Sequence, residues 1–263
     1  MKIAAFNIQR LGPSKISKPE VVSTIVKILL RYDIILITEV TDKTGKSTTK
    51  LMEELNKQAE CHYSYTISKP LGRGTYKEQY LFIYRDDIVK VENVFQYDDM
   101  QQGDEDAFSR EPFMVWFKSQ TTAVQDFVLI PQHTTPEDSV KEIDELYDVV
   151  LKIKKEWEIE NIMILGDFNA DGRYVSKKKM KTIRIRTDKK FHWLIGDDED
   201  TTANEKTDQA YDRIVVYGDT FYQGIVPSSA KPFDFQEALK LTDEQTLEVS
   251  DHYPVEVELK LVK

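Results

Sequence analysis

The residues with chemical potential gather where apolar runs end. Asn7 follows Ile3–Phe6, Glu39 interrupts Ile34–Val40, and His133 ends the run that begins at Phe127. Asp167 and Asn169 follow Ile162–Leu165, Asp212 opens Arg213–Tyr217, and Asp251-His252 precedes Tyr253–Val257. Asn7, Glu39, Asp167, Asn169 and Asp251 offer only oxygen donors, which suits a hard ion such as Mg²⁺ or Mn²⁺ rather than zinc. Asp167 and Asn169 are two apart, so in extended chain they address the same side. An Asx turn closing a strand is the ordinary alternative. His133 and His252 titrate near neutrality and can take a proton from water or give one to a leaving oxygen, or else be satisfied structural histidines. Glu78 and Asp212 are available to fix their tautomers. Two such pairs beside an oxygen-ligated metal would suit in-line attack on a phosphodiester.

Bringing these groups together requires strand ends that share a rim. Ile3–Ile8 reads as a buried strand, and Ile34–Val40 as one covered on both faces. Pro19 opens a helix with Val22, Ile25, Val26 and Leu29 on one face. A helix follows over Thr48–Gln58, and another from Pro136 to about Trp157 with Val140, Ile143, Leu146, Val150 and Ile153 inward. Strands are predicted at Tyr63–Ile67, Gln79–Arg85, Ile88–Gln96, Phe113–Phe117, Phe127–His133, Ile162–Gly166, Asp212–Tyr217 and Tyr253–Leu261. The order is neither a clean βαβ series nor all-β, so packed sheets with helices outside are expected.

Composition sets outer bounds. The 263 residues carry a net charge of −10, with 40% apolar and 31% charged side chains, as in a folded globular protein. Such acidity argues against a nucleic-acid coat protein or a membrane-surface binder, but not against an enzyme that meets phosphate through a metal. The lone Cys61 excludes an intrachain disulfide and zinc-ribbon readings. No stretch approaches the ~20 apolar residues of a membrane span. No secretory segment precedes the strand at Lys2–Ile8, as in a mature or recombinant form.

A set of ordered motifs resembles the DNase I family of the endonuclease/exonuclease/phosphatase superfamily. They are Phe6-Asn7-Ile8, Arg31-Tyr32-Asp33-Ile34 with Glu39-Val40, Leu71-Gly72-Arg73 with Tyr76-Lys77-Glu78, and Phe108-Ser109-Arg110-Glu111-Pro112. Gly166-Asp167-Phe168-Asn169-Ala170-Asp171, Ala210-Tyr211-Asp212-Arg213 and Ser250-Asp251-His252-Tyr253-Pro254 complete the series. Pro112-Phe113, Val115-Trp116-Phe117 and His133-Thr134-Thr135-Pro136-Glu137 are more similar to the DNase gamma branch. The resemblance implies an α/β (α+β) four-layer sandwich of two mixed sheets over residues 1–263. It also implies a Ca²⁺/Mg²⁺-dependent, weakly sequence-selective DNA endonuclease leaving 5′-phosphate and 3′-hydroxyl ends, acting as a secreted monomer. By motif, His252 with Asp212 activates water and His133 with Glu78 serves the leaving oxygen. Glu39, Asn7, Asp167, Asn169 and Asp251 hold metal and scissile phosphate, with Arg110 beside it. Tyr76 and Arg73 contact the sugar–phosphate backbone along the minor groove, and Tyr174 and Tyr211 lie near the site as further substrate-binding residues. Structural calcium is implied at Asp99, Asp106, Phe108 and Glu111, and at Asp200 and Thr202.

Departures from the family qualify these expectations. Gly172 and Gln209 replace its structural disulfide, and a smaller one near residues 100–103 is missing, which leaves an intracellular or engineered origin open. Thr41 and Gln9 replace basic residues of the minor-groove loops, which should weaken non-specific affinity. No basic C-terminal tail follows, so attack on chromatin or lipid-shielded DNA is not expected. At the surface that meets actin in DNase I, Tyr65 and Ile67 are compatible, but Phe113 is bulky; poor inhibition by actin is expected. The nine basic residues from Arg173 to Lys190 read either as a solvated face or as a phosphate-guiding patch. Two other functions stay open: a catalytically silent actin- or DNA-binding module, and a phosphodiesterase for another phosphate ester.

Overall fold

The structure is a computed structural model that describes residues 1–99 and 106–262. Its strands are β1 (Lys2–Leu11), β2 (Ile34–Val40), β3 (Tyr63–Ile67), β4 (Gln79–Arg85), β5 (Lys90–Gln96), β6 (Phe113–Lys118), β7 (Asp126–His133), β8 (Ile162–Asp167), β9 (Phe191–Trp193), β10 (Asp212–Tyr217), β11 (Lys231–Pro232) and β12 (Val255–Glu258). They form two six-stranded mixed sheets, ordered β11-β12-β1-β2-β4-β3 and β5-β6-β7-β8-β10-β9. Period-2 alternation assigns the faces. Ile3 and Ala5 of β1 enter the core between the sheets with Leu36, Phe82, Phe117, Leu129 and Leu165. Ala4, Phe6 and Ile8 point the other way, onto the helices Pro19–Leu29 and Lys46–Gln58. The helix Ser139–Trp157 covers the outer face of the second sheet through Ile143, Leu146, Val150 and Ile153. The result is helix, sheet, sheet, helix, the expected four layers.

Several boundaries differ from expectation for identifiable reasons. The helix expected from Pro136 opens as a 3₁₀ turn, Pro136–Asp138, before the α-helix starts at Ser139. The last strand spans Val255–Glu258 rather than Tyr253–Leu261, because Tyr253 bonds across to the Thr201 carbonyl instead. Phe113 requires a correction. It is 7% exposed and faces the core between the sheets, on the same side of β6 as Val115 and Phe117. Of the other residues named for the surface that meets actin in DNase I, Tyr65 is exposed and Ile67 half-buried.

The topology delivers strand ends to one rim. Each sheet contains a parallel pair, β1–β2 and β7–β8, in which Asn7 lies opposite Thr38 and His133 opposite Asp167. Antiparallel β10 brings Asp212 opposite Asp167. Chemistry at the carboxyl ends of parallel strands is the geometry expected of an open α/β sheet. Here β1 bends: Gln9 and Arg10 have φ of 52° and 59°, Glu39 of β2 has 61°, and the β1–β2 register breaks between Asn7 and Leu11. Left-handed non-glycine residues cost about 1–3 kcal/mol each, so other contacts must hold this bend. Lys15 supplies them, donating through Nζ to the carbonyls of Ile8, Gln9 and Val249.

Gly166 is the tightest point of the rim. Its φ is +138°, and an added Cβ would lie 2.0 Å from the Gln132 carbonyl oxygen of β7. Gly166→Ala should lower stability by at least ~2 kcal/mol, through strain at this φ and displacement of β7. Chemical denaturation would check this, and a wild-type midpoint would contradict the close β7–β8 approach.

Candidate active site

The rim opens into a cleft of about 760 Å³ lined by Asn7, Glu39, His133, Asp167, Asn169, Asp251 and His252, with Gln9, Arg10 and Lys15 alongside. Asp167 sits at its floor with its residue 2% exposed. Its Oδ1 accepts the Asn169 N–H at 2.9 Å and its Oδ2 the Asn7 amide at 3.0 Å. The Nε2 atoms of both His133 and His252 lie 3.6 Å from that same Oδ2. Burial opposes ionisation of Asp167, yet His252, His133 and these donors outweigh it and hold its carboxyl below the usual range.

Each imidazole is oriented from behind. His133 Nδ1 is 2.7 Å from Glu78 Oε2, and His252 Nδ1 is 2.7 Å from Asp212 Oδ2. With Nδ1 engaged, Nε2 is the atom each ring presents to the cleft. Glu78 comes from a loop held by a single bridge to Leu71. Burial would raise its carboxyl, but His133, Arg110 and the Tyr76 hydroxyl hold it down. Burial pushes the Asp212 carboxyl up to about 6, with Asp167 adding to the rise. Burial alone would lower His252, but Asp212, Asp167 and Asp251 raise it well above its ordinary value of 6.5. His252 lies between the buried carboxylates of Asp212 and Asp167, which accounts for its upward shift.

Other predicted residues behave differently. Asn7 does not turn an oxygen to the cleft: its Oδ1 accepts the Gln9 N–H at 2.9 Å, and its NH₂ donates to Glu39 at 2.9 Å and to Asp167. It gathers the two carboxylates. Asn169 donates its amide to the Thr134 carbonyl at 3.1 Å and sits at φ 46°. Arg110 is buried behind His133, donating to the His133 and Thr134 carbonyls and 3.5 Å from Glu78. It braces the histidine's strand end rather than lining the cleft. Tyr76 is exposed, and the tilted rings of Tyr174 and Tyr211 pack at 5.7 Å, with Tyr211 beside His252. Arg73 pairs with Asp106 and Asp138.

Among the described residues, three-ligand clusters occur only around the two histidines, as Glu39–Glu78–His133 and Asp167–Asp212–His252. Of the residues expected to bind structural calcium, Asp99 accepts the Phe108 N–H at 2.9 Å, and Glu111 is half-buried nearby in sequence. Asp200 accepts from Thr202 N–H and hydroxyl, so protein donors already occupy one of its oxygens. The region of the missing small disulfide, residues 100–103, lies outside the described residues. At the larger one, Gln209 fills the space beside Gly172, its Oε1 2.2 Å from where a Cβ would stand.

Several supporting residues carry no sequence signal of their own. Thr201 donates to Asp212 at 2.7 Å, and Ser250 ties β1 to the loop before β12 by donating to the Asn7 carbonyl at 2.6 Å while accepting the His252 N–H. The Tyr80 hydroxyl accepts the His133 N–H at 2.9 Å. Glu142, fully buried, accepts the N–H groups of Ser109 and Thr135, tying the Arg110 and His133 segments together; burial pushes its carboxyl up to about 7. A buried polar residue next to a strand end was the available hint, but its partner was not.

Known proteins agree with this architecture. The model of the endonuclease/exonuclease/phosphatase family matches residues 4–252. The chain is 52% identical to human deoxyribonuclease gamma over 99% of its length and 86% of that protein, and 48% identical to bovine deoxyribonuclease-1 over 98% and 92%. Among solved structures it is similar in fold to an endonuclease/exonuclease/phosphatase family protein from Leptotrichia buccalis (TM-score 0.68, 16% identity, 99% of each chain). The human Nocturnin catalytic domain is another (TM-score 0.66, 13% identity, 100% of this chain and 94% of that one). The chain therefore belongs to the endonuclease/exonuclease/phosphatase family and, within it, to the DNase I family.

Proposed function

We propose that this protein is a divalent-metal-dependent endonuclease that hydrolyses double-stranded DNA with little sequence selectivity, leaving 5′-phosphate and 3′-hydroxyl ends. The observation that carries the reading is the placement of two oriented imidazoles, each with Nε2 3.6 Å from one buried carboxylate oxygen. The 48–52% identity to deoxyribonucleases over nearly the whole chain supports the substrate class. Glu39 and Asp167 fit a hard divalent ion, since an oxygen of each approaches the same Asn7 amide nitrogen within 3.0 Å and both are oxygen donors. Asp251 faces the same cleft. A bound Mg²⁺ or Mn²⁺ would supply Lewis-acid stabilisation of charge on the phosphoryl oxygens.

The protein groups divide the proton work. His252, oriented by Asp212, takes the proton from the attacking water at Nε2. His133, oriented by Glu78, gives a proton to the departing 3′-oxygen. Tyr76 and the Tyr174–Tyr211 pair flank the cleft where a backbone would lie. Reading by groove shape rather than base edges accounts for the low sequence selectivity. Extracellular action and structural calcium at Asp99–Glu111 belong to the same proposal through the family likeness. Among the described residues, no helix is long and apolar enough to cross a membrane.

Purified protein should nick supercoiled plasmid with Mg²⁺ and Ca²⁺ and stop in EDTA; a folded, metal-loaded sample that leaves plasmid intact overturns the reading. His133→Ala and His252→Ala should each reduce the rate by at least ~10², the scale of a lost acid–base group. Near-wild-type rates in both would remove their assignment. Because Asp212 raises His252, Asp212→Asn should move the His252 titration to lower pH. Imidazole proton NMR in EDTA reads this directly, and an unmoved midpoint would separate the two residues. In the wild type His252 titrates above 6.5, so the acid-side limb, where the rate rises with pH as His252 becomes neutral, should have its midpoint above pH 6.5.

A further inference from the structure

The basic stretch Arg173–Lys190 contains two kinds of cation. Arg184 is committed to Asp144 and Asp148, and Arg186 to Asp197. Arg173, Lys177, Lys178, Lys179 and Lys181 are exposed, and among the described residues no carboxylate lies within ion-pair distance of them. Their backbone is nevertheless pinned: Val175, Met180, Ile183 and Ile185 are buried against the second sheet's helical layer. The Ser176 side chain caps the short helix Lys177–Met180. Four lysines are thus held on a fixed surface with their charges unspent.

That surface is continuous with the cleft. From His252 the ring of Tyr211 lies 6.4 Å away, and that of Tyr174 is 5.7 Å further on. The Arg173 guanidinium stands 4.9 Å over the Tyr174 ring and donates to its hydroxyl at 2.9 Å. Two residues after Tyr174, Ser176 begins the lysine turn. On the other side Lys177 and Lys181 share a depression with Asp197 and Asp198, which bounds the patch.

We infer that Arg173 with Lys177, Lys178, Lys179 and Lys181 forms a second phosphate-contact surface, which grips duplex DNA beyond the cleavage site by way of Tyr211 and Tyr174. The inference rests on the DNA reading of the cleft. Its physical basis is screening. With a Debye length of ~10 Å at 0.1 M salt, the duplex responds to this local cluster rather than to the distant carboxylates that set the net charge. Each phosphate neutralised releases counterions and adds ~0.9 to the slope of log affinity against log salt. Five cations beside the cleft offset, for DNA, the basic residues missing at Gln9 and Thr41. They act on binding, not on chemistry.

The test compares wild type with a Lys177→Ser, Lys178→Ser, Lys179→Ser, Lys181→Ser variant, and with a control of equal charge change at the exposed Lys27, Lys50, Lys57 and Lys90. Binding of a fluorescent 40-bp duplex is read by anisotropy in EDTA from 50 to 300 mM NaCl, and plasmid nicking is followed in parallel. The patch variant should lose affinity by ~10-fold or more near 150 mM and show a shallower salt slope, by ~0.9 for each phosphate no longer neutralised. Its KM for plasmid should rise while kcat stays within about twofold, and replacing the same four lysines by arginine should restore binding. A patch variant that matches the control in affinity and slope overturns the inference, whether or not the protein cuts DNA. Salt-dependent binding through the patch without nicking by wild type would support the surface and sink the nuclease reading instead.

Discussion

A buried carboxylate with almost no access to water is the constraint on which the rest of this molecule turns. An unpaired ionised group at the position of Asp167 would cost several kcal/mol, so it persists only with its oxygens fully engaged. The Asn169 N–H, the Asn7 amide and two imidazoles provide that engagement, and each arrives from a different segment. Asn7 comes from β1 of the first sheet, and His133 from β7, parallel to β8. His252 comes from the loop before β12. Satisfying Asp167 therefore requires the two sheets to pack in one relative position.

The supporting contacts serve the same requirement. Gly166 lets β8 approach β7 closely enough for His133 and Asp167 to share a register position. Lys15 secures the left-handed bend that follows Asn7, and Ser250 ties the Asn7 backbone to His252. Arg110 and Glu142 brace the segment behind His133 from the helix side. These are positioning contacts: they determine where the nitrogen and oxygen atoms stand before any ligand arrives. Preorganisation of this kind is where fold stability and chemistry are exchanged, since groups fixed in advance need not reorganise in the transition state.

Much of this was legible in the residue pattern. The apolar runs Ile3–Ile8 and Ile34–Val40 and the 3.6-residue faces of the helices pointed to covered sheets with helices outside, and polar residues at strand ends pointed to the rim. Glu78 was different, because it sits in a loop and acquires meaning only through family motifs or through its contact with His133. The Asn7 amide's role was hidden, since a sequence does not say which end of an amide faces a carboxylate. Arg110 carried the charge expected near a phosphate, but its guanidinium satisfies two backbone carbonyls that only the tertiary fold brings together. Phe113 shares the inward side of β6 with Val115 and Phe117, a placement that becomes plain only when β6 is set between the sheets.

The central claim is that the two imidazoles serve opposite ends of one displacement, His252 the incoming water and His133 the departing 3′-oxygen. Cleavage of a duplex containing a single 3′-bridging phosphorothiolate separates these roles, because a thiolate leaves without being protonated. His133→Ala should recover most of its lost rate on that substrate, and His252→Ala should recover none. Equal recovery in both variants, or recovery in His252→Ala alone, would contradict the assignment.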